Sequence, residues 1–163
     1  MKKNKIGMKG IVGVSGEFFV AAELSQRGIV ATMTLKNTPN IDILATNLEK
    51  AKTANIQVKT MSIENNAGWR LSEKDEEFSK IKNHFYVFVN LIGPGKLPEY
   101  VIIQKKDLAI FLRNDHKTWM AGMKKDGSPR MDTSMRILDP NRRETCRKFV
   151  QKYIDNWDIL DLW

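Results

Sequence analysis

The chain has 163 residues, of which 42% are hydrophobic and 28% charged, an ordinary globular balance with material for one substantial core. Its 27 Lys and Arg outnumber 19 Asp and Glu, so the net charge is +8 and an anionic partner is favoured, nucleic acid being the commonest; general solubility explains such a charge equally well. A single cysteine, Cys146, excludes an intrachain disulfide and a cysteine-cluster zinc site, and no apolar run approaches membrane-spanning length.

Met1 to Val14 is basic and glycine-spaced. Gly10, Gly13 and Gly16 do not match the dinucleotide-loop spacing and no strand precedes them, so the segment reads as a loose lead-in. Glu17 comes too soon for the apolar region of a signal peptide, and a cytoplasmic location is expected. Ser15 is a plausible cap for a helix to about Arg27, with Gly28 as its stop. Glu17, Val20, Ala21 and Leu24 share one face of that helix. Glu17 at the end of an apolar stripe suits a cation-binding carboxylate; a helix N-terminal acid favoured by the macrodipole is the rival explanation.

Ile29 to Leu35 is rich in β-branched residues and reads as the first strand, followed by a turn over Lys36 to Asn40. Ile41 to Thr46 and Ile56 to Thr60 are two alternating runs joined by a polar connection, which predicts a hairpin. Successive side chains in a strand point to opposite faces, so Asp42 lies opposite Ile41 and Ile43, and Gln57 and Lys59 lie opposite Ile56 and Val58. If the apolar faces are co-planar, Asp42, Gln57 and Lys59 gather on one side of the sheet. Half-buried hairpins commonly carry such residues on their wet face. Asp is disfavoured in strands, however, and Asp42 sits between two isoleucines.

Trp69 to Leu71 reads as a short strand after the polar loop from Glu64 to Gly68. Ser72 with Asp75 resembles a capping box for a short helix to about Lys82. Phe85 to Ile92 is apolar without alternation, as in strands buried on both faces. A loop from Gly93 to Pro98, a strand from Tyr100 to Gln104 and a short helix from Asp107 to Leu112 follow. Neither His84 nor His116 falls in the candidate site. Asn114 to Asp139 reads as a long basic loop, either a solvated excursion anchored by Trp119 or a flap over nucleic acid with Trp119 stacked on a base. Asp139-Pro140 opens a predicted C-terminal helix to about Trp157, with Cys146, Phe149, Val150, Tyr153, Ile154 and Trp157 as its core stripe. Ile159, Leu160, Leu162 and Trp163 are expected either to dock on the domain or to form a homodimer contact.

Asp42 followed by Gln57-Val58-Lys59 resembles the core motif of the PD-(D/E)XK nuclease superfamily, which includes restriction endonucleases and archaeal Holliday junction resolvases. G-E-F-F-V-A-A-E-L-S-Q-R-G resembles the first helix of the resolvase-like branch, whose glutamate is here Glu17. The resemblance covers roughly Ser15 to Val89. Two positions depart from the usual pattern: Gln57 stands where most members have an acid, although some branches use Gln there, and Ile41 rather than Pro precedes Asp42.

The resemblance implies an α/β fold with a restriction-endonuclease-like α-β-β-β-α-β core, a mixed central sheet flanked by helices, over about residues 15–112. The basic loop 114–139 and the C-terminal helix 140–157 would be additions to it within one domain. It also implies Mg²⁺ or Mn²⁺ held by Asp42, the Gln57 side-chain oxygen, the Val58 carbonyl and Glu17, with Lys59 orienting the attacking water and neutralising charge on the phosphate. Lys36, Arg70 and Trp119 are candidate nucleic-acid contacts. The leading expectation is therefore a metal-dependent DNA endonuclease or resolvase-like nuclease. The alternatives are a non-catalytic nucleic-acid-binding domain on the same fold, favoured by Gln57, and a protein-interaction accessory module, favoured only by the apolar C-terminus.

Overall fold

The computed structural model describes residues 5–35, 38, 40–62 and 67–163. The chain opens with helix α1 (Lys5–Gln26). From Lys5 on, the glycine-spaced lead-in is thus helical, and the helix begins ten residues before the expected cap. Ser15 is not a cap: its hydroxyl donates to the Val12 carbonyl within the helix. Gly28, at φ +77°, ends α1 as expected, and the Ile29 N–H closes back on the Leu24 carbonyl.

Strands β1 (Val30–Met33), β2 (Ile43–Asn47) and β3 (Lys52–Ser62) form an antiparallel meander. β5 (His84–Leu91) then pairs parallel to β3, and β6 (Glu99–Gln104) pairs antiparallel to β5. The result is a mixed five-stranded sheet in the order β1-β2-β3-β5-β6. The connection from β3 to β5 carries β4 (Trp69–Ser72) and a 3-10 turn (Glu73–Glu76) in place of the helix expected to Lys82. Asp75 explains the short turn. Its carboxylate takes both the N–H and the hydroxyl of Ser72 and is also held by Tyr86, so the chain is pinned to the sheet after one turn.

α2 (Lys105–Met120) is 16 residues long and absorbs the first part of the expected basic loop. The last part of that loop is β7 (Met135–Leu138), which pairs with β4 in a second, two-stranded sheet. Only residues 121–134 are irregular between the two. Arg136 is buried in β7 and ion-paired with Glu76, so it braces the 3-10 turn rather than facing solvent. The C-terminal helix is also shorter than expected. Asp139 accepts the N–H groups of Asn141 and Arg142, and α3 proper runs only over Glu144–Val150 before 3-10 turns at Gln151–Tyr153 and Trp157–Leu160. Ile154 therefore leaves the core stripe and is exposed.

Alternation in the central strands builds two cores, one on each side of the sheet. Ile43, Ala45, Ala54, Ile56, Val58, Phe85, Val87 and Val89 pack with Val20 and Leu24 of α1. Trp157, Leu160 and Leu162 close this core, so the apolar C-terminal segment docks on its own domain, the first of the two expected alternatives. On the other side, Met61, Tyr86, Phe88 and Ile103 pack with Leu108 and Leu112 of α2, Trp69 and Leu71 of β4, and Cys146 and Val150 of α3. α1 approaches β3 closely: a side chain at Gly16 would overlap Thr60. Cys146 is fully buried, and burial raises its thiol pKa, as expected for a packing residue.

Candidate active site

Since Ile56 and Val58 are committed to α1, Gln57 and Lys59 open on the opposite face of β3. There they line a cavity of about 420 Å³, together with Tyr86, His84, Asp75 and Lys105. Asp42 occupies a bend immediately before β2, where its N–H donates to the Ile56 carbonyl at 2.8 Å. The paired register ends at Ile43 and Ile56, and the bond from the Asp42 N–H to the Ile56 carbonyl is one residue out of step with it, so Asp42 sits at an irregular step beside β3. One carboxylate oxygen, Oδ2, accepts the Val58 N–H at 2.7 Å. Asp42 is not a lining residue, yet its charge acts on the Tyr86 phenol and helps to raise that pKa.

Gln57 carries the most telling feature. Its Oε1 is buried and has no hydrogen-bond partner among the described residues. An acceptor in that condition costs about 1–3 kcal/mol. A cation or donor brought against it would remove that cost, and a neutral amide oxygen is a ligand type that hard divalent ions accept. Val58 contributes its backbone: its N–H holds Asp42 and its side chain is in the α1 core. Among the described residues, no group of three or more His, Cys, Asp or Glu is placed to hold a metal. A cation here would therefore depend on Asp42, the Gln57 amide oxygen and main-chain carbonyls.

Glu17 lies on α1, partly buried on the opposite side of β3 from the cavity, and is not among the lining residues. Lys36 lies outside the described residues. Arg70 is exposed on β4, opposite Ile137, and does not line the cavity. Trp119, near the end of α2, has two ring partners: His116 stacks on it at 5.6 Å and the Arg130 guanidinium lies 5.0 Å from its ring. It too is away from the cavity, in a local cluster that ties α2 to the irregular segment.

The structure adds four residues that the sequence did not point to. Tyr86, the parallel-strand neighbour of Gln57, donates its phenol to Asp75 Oδ1. Burial is the largest cause raising the Tyr86 pKa, followed by the Asp75 hydrogen bond. Burial would also raise Asp75, but the hydrogen bonds from Tyr86 and Ser72, with the charge of Lys105, overcome it and hold the carboxyl below its usual range. Lys105 donates to the Asp75 carbonyl, and burial lowers its pKa. His84, set aside on the sequence, lines the cavity as well. Its Nε2 faces the Asn40 carbonyl at 3.0 Å and must donate, so Nδ1 accepts from Ser79 in the neutral ring. Burial, the largest cause, lowers the His84 pKa and favours that neutral form.

Asp75 was hidden because Ser72-x-x-Asp75 reads as a capping signal, and Tyr86 because it lies inside an apolar run. Only the parallel pairing of β3 with β5 brings Tyr86 beside Gln57. Comparison of the chain with family models, curated proteins and solved structures returned no match. Among the described residues, no helix is long and apolar enough to cross a membrane.

Proposed function

We propose that this protein is a metal-dependent nuclease that hydrolyses DNA phosphodiester bonds with Mg²⁺ or Mn²⁺, on a core of the PD-(D/E)XK type. The buried Gln57 Oε1, unpartnered among the described residues and on the strand face that Lys59 shares, with the Asp42 carboxylate held by the intervening Val58 N–H, carries the proposal. The mixed sheet, with an antiparallel β1-β2-β3 meander, β5 parallel to β3 and helices on both faces, supports this reading. The 3-10 turn takes the place of the helix between them.

A divalent ion bound by Asp42, Gln57 and the Val58 carbonyl would polarise the phosphate and lower the pKa of the attacking water. Lys59 lines the cavity, and its ammonium would donate to a phosphate oxygen and neutralise the charge that develops there. Water adds hydroxide to phosphorus, the bond to the leaving sugar oxygen breaks, and that oxygen takes up a proton. Lys74, Lys80 and Lys105 also line the cavity, and with Lys59 they outnumber its carboxylates, Asp75 and Glu77, which favours an anionic strand.

The second reading is a nucleic-acid-binding domain without cleavage. The neutral amide at position 57, and the lack of a three-carboxylate group among the described residues, favour it. One experiment separates the two: incubation of plasmid, branched and single-stranded DNA with the protein, with and without Mg²⁺ or Mn²⁺. Metal-dependent cleavage that is lost in Asp42→Asn and Lys59→Ala supports the nuclease. Binding without cleavage in either metal supports the second reading.

A further inference from the structure

Phe78 follows the 3-10 turn and is 53% exposed. Single exposed apolar residues are normal on protein surfaces, but three features set this one apart. It stands on the rim of the candidate active-site cavity and also lines a neighbouring hollow of about 220 Å³. The Arg113 guanidinium covers its ring at 4.5 Å. Lys59, Lys74, Lys80 and Lys105 line the first cavity against Asp75 and Glu77, and Lys105 and Lys106 line the second, so cations are in excess around Phe78.

The depth of the site constrains the substrate. Gln57 Oε1 is fully buried, so a phosphate reaching a cation held there has to leave the surface and enter the cavity. A duplex strand can do so only by unstacking the adjoining base, whereas a single strand is already free of that cost. The displaced base then needs a new stacking partner. A Phe ring backed by a guanidinium is the kind of platform that single-strand-binding proteins use, and it accepts any base because every base has a π-face. The cavity's volume lies within the range of roughly 300–1,000 Å³ typical of ligand clefts.

We propose that Phe78 is a base-stacking residue and that the preferred substrate is single-stranded or locally unpaired DNA, with one nucleotide drawn over the cavity rim. The inference rests on the nuclease reading for its substrate class, but its test does not depend on cleavage. Binding of a dye-labelled oligothymidylate and of a blunt-ended duplex is measured by anisotropy in chelator, for the wild type and for Phe78→Ala, Phe78→Leu and Phe78→Tyr. The expected result is that Ala and Leu weaken oligothymidylate binding roughly tenfold to hundredfold, while Tyr retains it and duplex binding is unchanged in all three. Wild-type protein that does not prefer the oligothymidylate overturns the inference. So does a Phe78→Ala variant that binds it as wild type does, or that loses both ligands equally. Those results leave the nuclease reading intact if the wild type cleaves. Phe78-dependent binding without any cleavage overturns the nuclease reading and leaves the stacking site standing.

Discussion

Asp42 and Val58 are joined by a 2.7 Å hydrogen bond from the Val58 N–H to Asp42 Oδ2, a side-chain link between the bend before β2 and the middle of β3. The bond fixes the carboxylate beside the strand that presents Gln57 and Lys59. In the proposed nuclease it would give Asp42 two separable duties, one oxygen serving the backbone and the charge serving the metal.

The two duties predict different outcomes for different substitutions. Asp42→Asn keeps an acceptor for Val58 and removes the charge, so it should abolish cleavage at nearly wild-type stability. Asp42→Ala should abolish cleavage and also cost about 1–2 kcal/mol, because the Val58 N–H loses its partner. Lys59→Ala should abolish cleavage with the fold intact. Urea melts beside a cleavage assay check all three, and full activity in purified Asp42→Asn or Lys59→Ala would remove them from the site.

Gln57→Glu should tighten divalent-ion binding without destroying activity. A carboxylate replaces a neutral amide oxygen, and hard cations favour charged oxygens. In chelator the same change buries an unpaired charge, so the variant should melt below wild type and bind DNA less tightly. Added Mn²⁺ should then raise its melting temperature more than that of the wild type. A variant that melts low and does not respond to metal would refute this use of the Gln57 oxygen.

The His84 site predicts acid sensitivity with a defined sign. Its folded pKa lies below the ordinary 6.5, with burial as the main cause, so the unfolded chain binds the proton more readily. The stability linked to a neutral His84 is complete above pH 6.5 and is lost as pH falls through the folded value. Asp75, also depressed, adds a second loss only below its ordinary 3.8. Thermal melts of wild type across this range should decline first below pH 6.5, and His84→Gln should lack that first decline.

Gly16→Ala should destabilise the fold by about 1–3 kcal/mol, because the new methyl meets Thr60 where α1 crosses β3. Combining it with Thr60→Ala should recover much of the loss. Equal melting of Gly16→Ala and wild type would show that the helix sits farther from the strand.

DNA affinity should fall linearly in log–log form as salt rises, given a net charge of +8 and a lysine-lined cavity. Binding that does not move between low and moderate salt would exclude a phosphate-led interaction.

The sequence made the alternating strands legible, because period-two patterns such as Ile43-x-Ala45 and Ile56-x-Val58 fix which side chains turn inward. It therefore placed Gln57 and Lys59 on one face, and it identified β5 as a doubly buried strand. Other features depended on contacts distant in sequence. β7 exists because β4 is there to pair with it, and the turn at Asp75 stops short because Tyr86 and Ser72 take its carboxylate. The length of α2 was concealed by polar residues on its solvent face, and the early start of α1 by glycines that weaken any helix signal. The local signal at Asp139-Pro140 was genuine as a turn, but the helix it announced begins at Glu144.

The closure of the α1 core by Trp157, Leu160 and Leu162 has a consequence for biosynthesis. Asn47 Nδ2 donates to the Leu162 carbonyl, a bond that spans 115 residues of chain, and Arg27 lies against the rings of Trp157 and Trp163. During translation, α1 and the β1-β2-β3 meander emerge long before the residues that cover them. Val20, Leu24 and Ile56 must therefore stay partly open to solvent, or to a chaperone, until residue 162 has been made. Folding cannot proceed strictly from the first element to the last. The cavity-bearing strand β3 gains its full support on the α1 side only with that late segment.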